Sequence, residues 1–172
     1  MHKERTLNTS PGLGVLLLVL LMFVGAIVAL VFAIRQKNVP LLLGSIGLFL
    51  VASITAAGLF VVNPNQAVAL LLFGNYKGTT RQTGLRYANP FYTKLRISLK
   101  ARNLNGERLK VNDLVGNPIE IAAVVVWRVQ DTAEALFEVD NFEAYVKVQS
   151  ESAVRHLASA YAYDGGENEV SL

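Results

Sequence analysis

The chain has 172 residues, with 16 Lys/Arg against 13 Asp/Glu and no cysteine. The missing thiols exclude disulfides, thiolate metal sites and cysteine lipidation. A net charge of only +3 at a pI near 9.3 does not point to nucleic acid, because the basic stretch lies beside the apolar end of the chain rather than on a basic domain of its own.

A polar tail, residues 1–12, comes first. Up to Val62 the only charged residues are Lys3, Glu4, Arg5, Arg35 and Lys37. Within this stretch lie Leu13–Ile34 and Leu41–Val62, two uncharged runs of 22 residues each. As helices these are about 33 Å long, which matches a hydrocarbon core of about 30 Å. Only a helix satisfies all its own backbone groups in lipid. A cleaved signal peptide fits poorly: the first run is longer than an h-region and contains no A-x-A site. The connection 35–40 is short, so the runs form an antiparallel hairpin with Pro40 opening the second helix. Spanning and re-entrant hairpins both satisfy this, and both leave the N-terminal tail and the remaining chain on one side. The flanking Lys/Arg counts lean only slightly to a cytoplasmic side. Ala52 with Ala56, and Ser53 with Ala57, place small residues at helical spacing for close packing, within the hairpin or between subunits.

From residue 63 the composition becomes that of a water-soluble domain, expected over 63–164. Val68, Leu70 and Leu72 alternate in a first strand, with Gly74–Gly78 as its turn. Arg96–Arg102 alternates polar and apolar residues, the pattern of a half-buried strand. Asn105-Gly106 predicts a type I′ hairpin returning through Leu109 and Val111. Ile119–Val129 is apolar on both faces, so it reads as a long central strand covered on both sides. Asp131-Thr132 caps a short helix running to Val139. A longer helix over Asn141–Tyr163 gathers Phe142, Tyr145, Val146, Ala153, Leu157 and Ala160 on one face. Trp127, Phe142, Val146 and Leu157 are the expected domain core. Asp164–Glu169 is a polar break, and 165–172 a polar tail or the start of a further segment. The class is α+β, behind a membrane hairpin.

Chemistry-bearing groups do not cluster. Ser152 and His156 share a helical face, but a nucleophile also needs an oriented base and an oxyanion hole. Glu134, Glu138, Asp140 and Glu143 lack the histidines or the loop pattern of a metal site, so a solvated helix face is expected. No cofactor is implied. Charge is polarised instead: 63–110 carries nine Lys/Arg and one acid, whereas 111–172 carries three and eleven. Lys77, Arg81, Arg86 and Lys94, nearest the anchor, are candidate lipid-headgroup contacts at about 1 kcal/mol each. Alternatively the basic half of one copy meets the acidic half of the next, head to tail, or the two halves pack on each other within one domain.

Three stretches carry a family resemblance. VVNPNQAVALLLFGNYKGTTRQTGLRYANPFY contains Phe73-Gly74, Tyr76-Lys77, Gly84-Leu85 and Pro90-Phe91. DLVGNPIEIAAVVVWRVQD contains Gly116-Asn117-Pro118 and Trp127. YVKVQSESAVRHLASAYAYD contains Gln149 and Arg155. In order and spacing these resemble the stomatin–prohibitin–flotillin family, also called SPFH or Band 7, from about Val62 to Asp164. The resemblance implies a curved, mostly antiparallel sheet with two packed helices lying against a membrane. It also implies homo- or hetero-oligomeric rings or cages, with membrane proteases or channels as partners; no catalysis is expected, because the chemistry-bearing groups do not cluster. The long heptad-rich helix that follows in that family is not in this sequence, which reads as truncated before it. Against the expectation of a scaffold of cell-membrane microdomains stands a membrane-tethered hydrolase or protease accessory subunit using Ser152 and His156.

Overall fold

The computed structural model describes residues 4–161. The expected helix end at Tyr163 and the polar break Asp164–Glu169 lie outside the described residues, as does Lys3. The chain forms two compact units, one within Lys3–Leu99 and one from Lys100 onward.

In the first unit, the apolar runs form α1 (Gly12–Gln36) and α2 (Val39–Ala56). Lys37 turns left-handed at φ 51°, and the Asn38 N–H donates to the Ala33 carbonyl at 3.0 Å. The Asn38 side chain then accepts the Leu41 N–H at 3.2 Å, so one residue closes α1 and caps α2. The second apolar run was expected to stay helical to Val62, but α2 stops at Ala56 and Leu59–Val62 is strand β2. The cause is a close approach at Gly58, where a Cβ would sit 2.4 Å from the Tyr87 ring and 2.5 Å from the Ala88 carbonyl oxygen. Beyond it, Phe60 and Val62 turn into a core with Val68, Leu70 and Ala88.

β3 (Gln66–Leu72) is the middle strand between β4 (Asn75–Thr80) and β6 (Tyr92–Ser98), all antiparallel. Ala67 to Leu70 are fully buried on both faces. The turn after β3 is only Phe73-Gly74, with φ 48° and 85°. The expected Gly74–Gly78 turn is therefore mostly strand, and two left-handed residues make the tight reversal. A smaller sheet sets β5 (Gly84–Tyr87) between β2 and β1 (Ser10–Pro11).

In the second unit, β7 (Arg102–Asn105) pairs with β10 (Val124–Trp127), and β8 (Leu109–Asn112) with β9 (Pro118–Ile121). The hairpin expected at Asn105-Gly106 is thus absent, for the Gly106 N–H donates to the Ala123 carbonyl at 2.9 Å and carries the chain away from β7. The tight reversal lies instead at Asp113–Asn117, where the Asp113 carboxylate accepts the N–H groups of Val115 and Asn117 at 3.0 and 2.7 Å. The expected strand Ile119–Val129 breaks at Ala122-Ala123 into β9 and β10. Its second face is not covered: Val124 and Val126 are 68% and 66% exposed.

Asp131 caps α3 (Thr132–Phe137) and Asn141 caps α4 (Phe142–Ala160), each side chain accepting two N–H groups. On α4 the more buried residues include Phe142, Val146, Ser150, Val154 and Ala158. Steps of four advance 40° around the helix, so this stripe drifts away from a straight projection. Leu157, expected in the core, is consequently 51% exposed, and Tyr145, Ala153 and Ala160 are exposed with it.

Candidate membrane-facing site

The outward faces of α1 and α2 are apolar along their length: Leu13, Leu17, Leu21, Val24, Leu43 and Leu50 are all exposed, Leu21 by 73%. Water penalises such a surface and hydrocarbon does not. At 25 and 18 residues the helices are about 37 and 27 Å long, and both are long and apolar enough to cross a membrane. The chain is therefore membrane-associated.

Between the helices runs a seam of mostly small residues spaced by seven. Val19, Ala26 and Ala33 are buried on α1, Ser45 and Ala52 on α2, the repeat that keeps one seam facing its partner. Phe23 and Phe49 add an edge-to-face contact at 5.1 Å. Of the four small residues expected to pack, Ala52 is fully buried and Ala56 partly so, while Ser53 and Ala57 are exposed. The Ser53 hydroxyl donates back to the Phe49 carbonyl at 2.9 Å.

Both ends of the hairpin are fastened to the sheets of the first unit. At the end of α2, the Lys94 ammonium donates to the Ala57 carbonyl at 2.5 Å and stands 5.7 Å from the Phe60 ring centre. A cation there complements the negative end of the helix dipole. Partial burial holds Lys94 below the ordinary lysine pKa. Before α1, residues 4–9 form a strap along β4. The Leu7 N–H donates to Thr79 at 2.9 Å and the Thr79 N–H to Arg5 at 2.7 Å. Arg81 forms a two-pronged pair with Glu4 at 2.9 and 2.7 Å. Gly78 is needed beneath the strap, since a Cβ there would lie 2.9 Å from both the Arg5 oxygen and the Leu7 Cβ.

The four basic headgroup candidates thus divide. Lys77 is an exposed side chain on β4. Arg81 holds the strap, Lys94 holds α2, and the Arg86 guanidinium donates to the carbonyls of Thr83 at 3.2 Å and Thr9 at 3.5 Å. The partners of Arg81 and Arg86 in the N-terminal tail are about 77 residues away in sequence, and no periodicity announces them.

In the second unit, Trp127 and Phe142 meet edge to face at 5.9 Å, with the Arg102 guanidinium 5.6 Å from both ring centres. Arg102 also pairs with Glu143. Lys147 pairs with Glu107 at 2.8 Å; this bond lowers the Glu107 pKa and raises that of Lys147. These contacts fasten α4 to the segment holding β7. Ser152 and His156 are both exposed on α4. Among the described residues no group of three His, Asp or Glu is placed to hold a metal.

Compared with known families, residues 60–165 match the model described as SPFH domain / Band 7 family. No curated protein matches the chain.

Proposed function

The chain belongs to the SPFH domain / Band 7 family, and from that premise we propose that it is an oligomeric scaffold, anchored by a spanning hairpin, that organises microdomains of the cell membrane. Proteins of this family are generally membrane-associated, oligomerising scaffolds of a non-enzymatic type. In our reading the hairpin is the anchor, the family domain runs over 63–164, and the head holds or regulates partner membrane proteins such as proteases or channels. The observation that carries the reading is the double fastening of the hairpin, through Lys94 to Ala57 and through the strap to β4. The part of the head in the first unit, held at both ends of its anchor, keeps a fixed attitude to the bilayer, which side-by-side assembly requires. The strap also supports an N-terminal tail and a head on one side of the membrane, which we assign to the cytoplasm. The polarised charge supports a head-to-tail contact between copies, which closes into a ring when the rotation allows.

The test is to extract the full chain from membranes in polymer-bounded discs without detergent and weigh the particles. Several copies per disc, falling in number as salt screens the charged contact, is the expected result. One copy per disc at low salt overturns the scaffold.

A further inference from the structure

Two bulky aromatic side chains in the first unit are spent on exposed turns. Phe73 is 82% and Phe91 61% exposed. Phe73 also occupies a left-handed position, φ 48°, which Asn, Asp or Gly adopts without strain and a bulky side chain does not. A residue unfavourable both for its turn and for water is a marker of function.

The two turns lie side by side. Leu72 and Tyr92 are paired across β3 and β6, so the residues just outside that pair, Phe73 and Phe91, sit at the same end of the sheet. The second turn is tied to the exit of α2 on both flanks. On one side the Ala88 N–H donates to the Gly58 carbonyl at 3.1 Å, and on the other Lys94 donates to the Ala57 carbonyl. Residues 88–94 therefore wrap the point where the second apolar helix ends. The turn itself is rigid: the Asn89 side chain accepts the Phe91 N–H at 3.0 Å, and the Asn89 carbonyl accepts the Tyr92 N–H at 3.0 Å. Tyr87 and Tyr92 are partly buried beside it, giving an aromatic group at the level where a helix leaves the hydrocarbon, the level such side chains favour.

We infer that Phe73 and Phe91 form a paired aromatic wedge that enters the headgroup–acyl boundary of the leaflet from which α2 emerges. This rests on the hairpin being membrane-embedded and adds a lipid contact made by the folded head itself. The occupant is the bilayer interface because the wedge is continuous with the end of the anchor. The exposed Lys77, on the strand that leaves the Phe73-Gly74 turn, sits where an anionic headgroup would meet it. Two aromatic tips in one leaflet, repeated around an assembly, would also make the head sensitive to lipid packing.

The absence of cysteine makes the test direct. Single substitutions Phe73→Cys, Phe91→Cys, Leu21→Cys and Thr83→Cys are nitroxide-labelled in the full chain, reconstituted in phosphatidylcholine–phosphatidylglycerol vesicles. Relaxation by oxygen is then compared with relaxation by a water-soluble nickel chelate. Labels at 73, 91 and 21 are expected to favour oxygen, with 21 deepest, and the label at 83 to favour the chelate. Labels at 73 and 91 as chelate-accessible as 83, with 21 still buried, overturn the wedge and leave the anchor standing. A chelate-accessible label at 21 overturns the anchor itself. Because a label is itself apolar, the unlabelled double variant Phe73→Ser/Phe91→Ser is compared with the unchanged chain by amide exchange in the same vesicles. Exchange across residues 72–75 and 89–92 that rises at least tenfold in the double variant, with the interior of β3 unchanged, supports the wedge. No rise there, or an equal rise throughout β3, refutes it.

Discussion

Substituting Gly78→Ala should release the N-terminal strap from β4. The new Cβ would lie 2.9 Å from the Arg5 carbonyl oxygen and 2.9 Å from the Leu7 Cβ, inside any tolerable contact, and both atoms belong to the strap. Moving the strap breaks the two main-chain bonds between Leu7, Arg5 and Thr79, worth about 1 kcal/mol each. It also breaks the Glu4–Arg81 pair, whose arginine is 43% exposed and which is therefore worth at most about 1 kcal/mol. The closing free energy of the strap falls by about 2–3 kcal/mol, and its open state becomes about 30- to 150-fold more populated. Amide exchange of the full chain in lipid discs reads this directly, as faster exchange at Leu7 and Thr79. Gly14→Ala is the control, because a Cβ there meets nothing within 4 Å. Unchanged protection at Leu7 and Thr79 in Gly78→Ala would refute the steric argument and, with it, the strap as a fastening.

Leu70→Ala removes a fully buried side chain from the core shared by β2 and β3, and should cost about 2–5 kcal/mol, read as a lower denaturant midpoint for the head. Ala52→Leu forces extra volume into the hairpin seam, where Ala52 has no exposed surface; about 1–3 kcal/mol of overpacking strain should appear as loss of cross-linking between cysteines introduced at facing seam positions. Glu107 carries a lowered pKa and Lys147 a raised one, each through their mutual bond. Their contribution is present above the ordinary carboxylate value and lost as pH falls through the depressed Glu107 pKa; at the other end it is lost as pH rises through the raised Lys147 pKa. In Lys147→Met, the Glu107 titration followed by NMR should return toward the ordinary glutamate value, and an unmoved titration would contradict the pairing.

The apolar runs were legible because lipid solubility depends on composition and length alone, and the cap at Asp131 because a cap is local chemistry. The end of α2 was not legible. Leu59–Val62 is as apolar as the helix before it, and only the Gly58–Ala88 approach, a contact 30 residues away in sequence, turns it into a strand. The Asn105-Gly106 signal failed for a similar reason: local turn preference was outweighed by the pairing of β7 with β10. On α4 the apolar face was projected as a straight stripe, and the drift of the buried positions left Leu157 outside. Among the basic candidates, charge and proximity to the anchor were visible, but the partners of Arg81, Arg86 and Lys94 come from Glu4, Thr9 and Ala57. Those are tertiary contacts that spacing does not encode.

Alkaline carbonate treatment of membranes carrying the full chain asks most simply whether Gly12–Gln36 and Val39–Ala56 lie in lipid. Retention of the chain in the membrane pellet, with release only by detergent, is the result this account requires. Recovery of a folded chain in the carbonate supernatant would contradict it, because the exposed apolar faces of both helices would then have a cover other than the bilayer.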